Sequence, residues 1–513
     1  TCHENHEKYP HPAGVAKPAC TSCHESQAGD YARGVHGQAA RKGDAGAPDC
    51  AVCHGSAHEL LPPKSVEFRS KVPETCGMCH TEVVQQFQAS VHGQALARGV
   101  VQAPLCTDCH GEHSILPHTN AASPVHSGNI RQTCGSCHGD VRLNRKFGLP
   151  TDRLVSFDAS FHGLAAKAGS QTVANCASCH GVHNILPSSD PKSMINAKNL
   201  PATCGHCHPG AGQRFRIGPV HITEAGTEAP AVQWVRQLYL LLIPLVIGLM
   251  LLHNGGDWIR KAIRMRSRPL PARRDELPAR PNLRMLPFER VQHGLLTLSF
   301  CLLAWTGFAL KYPDQWWARP LLLWEGSQPL RGIIHRVAAV VFIGVAVTHL
   351  VSLIVNKALR RHWLHMLPNR KDPVEALANF SYNLGFRSQD PGRSAHSYIE
   401  KAEYWALIWG TVIMVATGVM LWANNLMLAL LPKTWLDVAT SVHFYEALLA
   451  TLAILVWHFY SVIFDPDVYP MDPAWLTGLS VRKIAEEEPP RPAPAPETPQ
   501  SEEKTQSTPT ERL

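Results

Sequence analysis

Residues 92–117 read HGQALARGVVQAPLCTDCHGEHSILP, and this stretch decides how the first part of the chain folds. It contains a His-Gly pair, a CxxCH motif that begins 14 residues after that histidine, and then a further histidine followed by Leu-Pro. The same arrangement begins at His36 and at His162. A Thr-Cys-Gly-x-Cys-His segment follows each copy, at Thr75, Thr133 and Thr203. The chain therefore contains a unit with two CxxCH motifs that occurs three times.

The CxxCH motif has a specific chemistry. Two cysteine thiols add across the vinyl groups of one haem, and the next histidine is placed to ligate the iron. Zinc sites and disulfides also use paired cysteines, but neither explains a histidine after every pair. We therefore predict a c-type haem at each motif, on the extracytoplasmic side where such haems are attached.

Seven complete motifs supply the expected attachment cysteines and proximal iron ligands. The cysteines are Cys20, Cys23, Cys50, Cys53, Cys76, Cys79, Cys106, Cys109, Cys134, Cys137, Cys176, Cys179, Cys204 and Cys207. The histidines are His24, His54, His80, His110, His138, His180 and His208. Thr1-Cys2-His3 reads as the end of one more motif, so we expect eight c-type haems. We also expect a preceding segment with a secretion signal and the partner of Cys2.

A second histidine on each iron would close it for electron transfer. The repeat offers such histidines at matching positions, and two more follow the terminal motifs. The expected distal ligands are His6, His36, His58, His92, His113, His162, His183 and His221. The sequence leaves open which motif each of them serves.

The composition differs between the two halves of the 513-residue chain. Fifteen of the 16 cysteines and 20 of the 29 histidines precede residue 222, whereas apolar runs dominate after residue 233. Because residues 1–222 have few long apolar runs, we expect haems to form the core of a loop-rich domain. The formal charge of +7 gives no reason to invoke nucleic acid, since the arginines flank apolar spans.

Five apolar stretches are long enough to cross a membrane. They are roughly 234–253, 290–310, 333–355, 402–422 and 442–464. The loops at 256–288 and 356–402 contain nine and eight Lys/Arg, whereas the other two loops between spans contain three and one. The two basic loops should therefore face the cytoplasm. Trp316, Trp317 and Trp324 fit an aromatic belt on the outer side. The fold class is therefore mostly α: a haem-packed, loop-rich extracytoplasmic domain plus a five-span bundle.

Histidines inside membrane spans indicate function by default. His335 and His349 lie 14 residues apart on the third span, and His443 and His458 lie 15 apart on the fifth. Each pair shares a helix face over about 21 Å, so the two helices could hold two stacked b-type haems. His293 lies at the cytoplasmic level of His349 and His458. We expect His253, at the end of the first span, to be interfacial rather than a ligand.

Residues 287–466 resemble the dihaem cytochrome b subunits of membrane formate dehydrogenases and nickel-iron hydrogenases. The matching positions are Arg290-x-x-His293, Thr306-Gly307, His335, Glu403-Tyr404-Trp405, Thr417-Gly418, His443 and His458. This resemblance implies an outer haem on His335 and His443 and an inner haem on His293 and His458. His349 departs from the family and is the alternative to His293. The whole chain looks like fused multihaem-c/dihaem-b quinol oxidoreductases.

These observations give four expected regions: an octahaem domain at 1–222, a linker with a tethering helix and basic loop at 223–288, a four-helix cytochrome b domain at 289–466, and a largely disordered cytoplasmic tail at 467–513. We expect a multi-pass protein of the bacterial inner membrane with its haem domain in the periplasm. Its expected role is electron transfer between the quinone pool, with menaquinol oxidation favoured, and periplasmic partners such as other multihaem cytochromes.

Two alternatives remain open. The chain could be a wiring subunit of a larger respiratory complex without a quinone site of its own, or a terminal reductase with one open c haem. The expected enzyme activity is quinol:cytochrome oxidoreductase, with no catalytic side chain identified. By family analogy a quinone would bind near the inner haem.

Overall fold

The computed structural model describes residues 9–10, 18–209, 221, 229–267, 282–322, 330–391 and 397–481. Over these ranges the protein is mostly helical, with almost no strand, and five helices are long and apolar enough to cross a membrane. The predicted fold class is confirmed in these respects. Cys2, His3, His6, Trp324 and most of the expected tail (482–513) lie outside the described residues.

The described part of the cysteine-rich region consists of short helices joined by loops, with a 3₁₀ turn at Cys20–Ser22. Its helices are α1 Glu25–Arg33, α2 Val35–Arg41, α3 Cys50–His54, α4 Val66–Gly77, α5 Thr81–Ala89, α6 Val91–Ala97, α7 Cys106–His110, α8 Ile130–His138, α9 Val141–Lys146, α10 Arg153–Ala159, α11 Phe161–Lys167, α12 Cys176–His180 and α13 Leu200–Gly205. Whole CxxCH motifs form α3, α7 and α12. A helical motif places its two cysteines and its histidine on adjacent turns, as attachment to one haem requires.

The residues beside the motifs set where these helices begin and end. Asp49 caps α3 by accepting hydrogen bonds from the amides of Ala51 and Val52, and Asn175 caps α12 through the amide of Ser178. Gly55 ends α3 at a φ of +89°. Only glycine adopts this conformation without strain, so the motif helix stops at its histidine.

The glycine of each His-Gly pair is required by a close backbone approach. A Cβ on Gly93 would lie 2.1 Å from the carbonyl oxygen of Phe87, and one on Gly163 would lie 2.0 Å from that of Phe157. These distances are far inside van der Waals contact. The absent side chain lets α5 and α10 fold back tightly against α6 and α11, which carry His92 and His162.

The membrane bundle contains five long helices. They are α14 Pro230–Ser267, α15 Pro287–Lys311, α17 Leu330–Val355, α20 Tyr398–Trp422 and α22 Lys433–Ala453, the last continued by π-helical turns at Ile454–His458 and Tyr460–Phe464. Helix α15 packs against α17, α20 packs against α22, and α14 packs on α22. The bundle is thus two helix pairs with an additional helix on one side.

Shorter elements complete the bundle. They are α16 Arg319–Leu322, α18 Lys357–Leu364, α19 Asp372–Asn383, α21 Asn424–Leu430 and α23 Ala474–Thr477, with strand β1 Asn282–Leu283 antiparallel to β2 Leu479–Ser480. Helix α14 continues well past the predicted end of the first span, and its last turns pack against α19. The polar residues here looked like a membrane boundary in the sequence, but His253, Asn254, Asp257 and Lys261 are buried.

Candidate functional site

Six pairs of histidine rings face each other in the cysteine-rich region. In each pair, a motif histidine lies opposite one of the expected distal histidines. The pairs, with their ring-centroid distances, are His80–His36 (6.3 Å), His54–His113 (6.0 Å), His138–His92 (6.2 Å), His110–His183 (6.0 Å), His208–His162 (6.2 Å) and His180–His221 (6.3 Å). Imidazole nitrogens bind metals at about 2 Å, so ligands on opposite sides of one iron have centroids about 6 Å apart. The donor sets therefore fit bis-histidine haem.

The pairings cross the sequence repeats. Each His-Gly histidine faces the second motif of its own unit, whereas His113 and His183 face the first motif of the unit before. A backbone hydrogen bond from Val35 N to Ile115 O (2.8 Å) joins the first two units, and the equivalent bond runs from Val91 to Ile185 (2.9 Å). These bonds hold the loop with each distal histidine against the preceding unit.

Consecutive motifs also lie side by side. The Cys76 thiol donates a hydrogen bond to Cys106, which raises the pKa of Cys76, and Cys134 and Cys176 form the equivalent contact. Burial raises the pKa of Cys50, and the neighbouring Cys20 thiol raises it further. The motifs therefore follow one another in space in the same order as in the sequence.

Three of the paired histidines of this region, His92, His162 and His180, are in the form that binds metal. Burial lowers the pKa of His92 to about 4, and the charge of His138 opposite adds to the effect. Burial likewise lowers the pKa of His162 and His180. These imidazoles are therefore neutral at pH 7, as iron ligation requires.

The other two expected distal ligands are His6 and His58. His6 lies outside the described residues, and His58 is exposed at the repeat position of His113 and His183. Among the residues that the structure describes, no histidine ring faces His24. His221 follows the last motif in sequence but faces His180, so its position along the chain did not indicate which motif it serves.

The membrane bundle contains two more pairs of the same kind. His335 on α17 faces His443 on α22, and His293 on α15 faces His458 in the π-helical turn, each at 6.4 Å between ring centroids. π-Helical turns inside longer helices are often found at functional sites. The four histidines join α15, α17 and α22 and fit two iron sites, one towards each end of the bundle.

Threonines fix the orientation of the outer pair. Thr306 donates its hydroxyl to the carbonyl of Leu302 (2.6 Å), so its oxygen accepts from Nδ1–H of His335 (2.8 Å). Thr417 makes the same two bonds, to Ile413 (2.7 Å) and His443 (2.9 Å). With Nδ1 protonated, each ring presents an unprotonated Nε2 for metal binding.

The glycines that follow these threonines make room for the rings. A Cβ on Gly307 would lie 3.5 Å from Cε1 of His335, and one on Gly418 would lie 3.4 Å from Cε1 of His443. Both Thr-Gly pairs therefore contact a ligand histidine through the hydroxyl and the adjacent backbone. The same Thr-Gly contact with a histidine thus occurs in both helix pairs, α15–α17 and α20–α22.

The inner pair has different supports. Glu403 accepts a hydrogen bond from Nδ1 of His458 (3.1 Å), while the buried Nδ1 of His293 has no hydrogen-bond partner among the described residues. His349 is hydrogen-bonded through Nε2 to the Tyr404 hydroxyl (3.1 Å) and contacts the ring of Trp363. The geometry thus brings His293, and not His349, opposite His458.

One cavity connects the two regions. It has a volume of about 5040 Å³ and is lined by ten of the paired histidines of the cysteine-rich region and by both membrane pairs. Sites for single drug-sized ligands measure about 300–1,000 Å³, so this cavity has room for several large groups. At the junction, Nδ1 of His208 contacts Oδ1 of Asn425 at 3.1 Å, which links the last motif to the start of α21.

A buried polar cluster at the inner end of α14 was not predicted. His253 is 4% exposed rather than interfacial, and its Nε2 lies 2.6 Å from the Tyr398 hydroxyl. Asp257 and Lys261, one and two turns further along α14, are also buried and form an ion pair at 2.9 Å. The i, i+4 spacing of these residues was the sequence feature that could have indicated the cluster. It was not decisive, because charged residues at the end of an apolar span usually mark the membrane surface.

Comparison with known proteins supports a b-type cytochrome in the membrane part of the chain, and the five apolar helices support an integral membrane protein. Residues 284–469 match the family model described as prokaryotic cytochrome b561. The cytochrome b556(fdo) subunits of formate dehydrogenase from Escherichia coli strains K12, O6:H1 and O157:H7 are similar to it. Each is 25% identical over 196 residues, which is 38% of this chain and 85% of the relative. No solved structure matches the chain.

Proposed function

We propose that this protein transfers electrons between membrane quinone and acceptors outside the membrane, through eight c-type and two b-type haems. The observation that carries the proposal is the series of facing histidine pairs along one cavity, from the cysteine-rich region to the inner end of the bundle. Bound haems would supply reversible one-electron chemistry at these positions. Closed bis-histidine irons suit electron transfer better than substrate binding.

The residues of the chain have distinct tasks in this proposal. The motif cysteines attach the c-type haems, and the paired histidines hold the irons and fix the haem order. By the repeat, His58 would pair with His3, as His113 pairs with His54. The apolar helices exclude water around the membrane pairs, while Thr306 and Thr417 keep the ligand tautomers fixed.

The proposed topology follows the charge pattern of the chain. Basic loops on the side of His293 and His458 favour a cytoplasmic inner end, which puts the cysteine-rich domain in the periplasm. Menaquinol oxidation is the favoured direction, with a periplasmic cytochrome as the acceptor. The resemblance to cytochrome b subunits of formate dehydrogenase supports a quinone at the inner end.

A second candidate is a wiring subunit of a larger respiratory complex. It is favoured by the similar cytochrome b556(fdo) proteins, which are subunits of formate dehydrogenase rather than complete enzymes. Such a subunit would contain the same haems but would need a partner protein to exchange electrons with quinone. The two candidates differ in whether the purified chain reacts with quinol.

The test is a pyridine-haemochrome assay of the purified full-length protein, with menadiol-driven reduction followed in the same sample. We expect eight c-type and two b-type haems, all reduced by menadiol. A quinone-site inhibitor should prevent this reduction. The same haem content without reduction would favour the wiring subunit. Absence of b-type haem would overturn the proposal for the membrane part.

A further inference from the structure

The buried polar cluster on α14 begins with two hydrogen bonds that assign the proton positions on His253. The Asn254 side chain donates through Nδ2 to the carbonyl of Val456 (2.8 Å), so its Oδ1 faces Nδ1 of His253 (2.9 Å) as an acceptor. Nδ1 of His253 therefore carries the hydrogen. Its Nε2 is then an acceptor, and the Tyr398 hydroxyl donates to it at 2.6 Å.

This pair lies at the inner end of the same cavity as the inner histidine pair. His253 and Tyr398 both line the cavity that His293 and His458 line. The ring of His253 lies 5.0 Å from that of Trp457, the residue before His458. A phenol oxygen accepts hydrogen bonds as well as donating them, so Tyr398 can receive a proton while passing its own to His253.

We propose that Tyr398 contacts a quinol headgroup at this end of the cavity and that His253, acting through Tyr398, receives the quinol's protons. The inference rests on the proposed function. Oxidation of one quinol breaks two O–H bonds and releases two electrons and two protons. Bound b-type haems, held by the membrane histidine pairs, would accept the two electrons. The protons pass in turn through Tyr398 to Nε2 of His253, which must release the first before it accepts the second.

The next turns of α14 provide an exit for the protons that His253 releases. Asp257 lies one turn, about 6 Å of rise, beyond His253. Lys261 contacts Asp257 at 2.9 Å, Asp465 at 2.7 Å and Asp467 at 2.9 Å. One lysine among three carboxylates leaves surplus negative charge, which attracts a proton leaving His253. Asp467 is 61% exposed at its side chain, so this charged cluster reaches water.

Most of this polar cluster lies outside the segment that the family model matches. His253, Asp257 and Lys261 lie on α14, which precedes the segment 284–469 that the family model covers. Asn383 on α19 donates to the backbone carbonyl of His253 (3.2 Å). A Cβ on Gly256 would lie 2.7 Å from the backbone of Asn383, so α14 and α19 are in close contact there. These contacts fix helix α14 against the inner end of the bundle. The helix therefore does more than tether the cysteine-rich domain.

The test uses Tyr398→Phe and His253→Gln in the full-length, haem-loaded protein. The matched control is Tyr239→Phe. Tyr239 lies on α14, and its partly buried hydroxyl donates a hydrogen bond to Glu446 at 2.8 Å, but it lies in the outer part of the helix. We measure menadiol-driven b-haem reduction, its solvent deuterium isotope effect, and menadione binding by equilibrium dialysis. Dithionite-reducible haem content serves as the check on folding.

We expect the rate constant of b-haem reduction at saturating menadiol to fall about 100-fold in both variants, as for loss of a positioned proton acceptor, and the isotope effect to change. Tyr398→Phe should also weaken menadione binding about tenfold, whereas His253→Gln should leave binding unchanged. Tyr239→Phe should behave like the wild type. A normal rate constant, isotope effect and binding in Tyr398→Phe would overturn the inference while leaving the proposed function intact. A wild-type protein that menadiol does not reduce would instead overturn the proposed function.

Discussion

Replacing Thr417 with valine should loosen the outer b-type haem without disturbing the fold. Valine has nearly the shape of threonine, so the packing of this buried position is kept. What is lost is the acceptor for Nδ1–H of His443, now 2.9 Å away. A buried donor left without a partner costs about 1–3 kcal/mol. Loss of such an outer-shell contact lowers metal-site affinity by about 10- to 100-fold.

The assay is haem transfer to excess apomyoglobin, with the covalently attached c-type haems as the internal standard. Thr417→Val should speed the loss of one b-type haem by about 10- to 100-fold and leave the c-haem signal constant. Thr451→Val is the matched control, because Thr451 makes the same hydroxyl bond to a backbone carbonyl, that of Ala447 (2.7 Å), but contacts no described histidine. Equal rates of haem loss in the two variants would refute the reasoning.

Three further substitutions test the remaining histidine geometry. Gly93→Ala puts a Cβ 2.1 Å from a backbone oxygen, which should cost about 1–3 kcal/mol or more and displace His92. One c-type haem should then lose its low-spin signal while staying attached, whereas Gly29→Ala, whose Cβ would have no neighbour nearer than 3.9 Å, should not change the spectrum. His349→Phe should retain both b-type haems by pyridine haemochrome, and His293→Ala should retain one. The opposite result would assign the inner iron to His349.

Much of the arrangement of cysteines and histidines was available from the sequence because the chemistry of a CxxCH motif is local. A CxxCH motif needs only five residues to attach one haem, and the His-Gly pair repeats at a fixed distance from it. Membrane spans follow from the lengths of the apolar runs. The matching levels of His335 and His443 follow from the helical rise, which is the same in every helix.

The tertiary structure decided which residues meet. The loop with His113 reaches His54 of the preceding unit because Val35 and Ile115 share a backbone hydrogen bond, a contact that no local pattern specifies. His349 and His293 were equivalent candidates by level along the helix, and only helix packing turned His349 towards Tyr404.

The inner end of α14 shows the same division most clearly. In the sequence, the polar residues after the apolar run resemble a membrane boundary, and a boundary was the natural prediction. In the structure, α19 and the π-helical end of the last span cover those residues, so His253 is buried against Tyr398. Local sequence determines which groups a helix carries, whereas the neighbouring helices determine whether those groups face water or a buried partner.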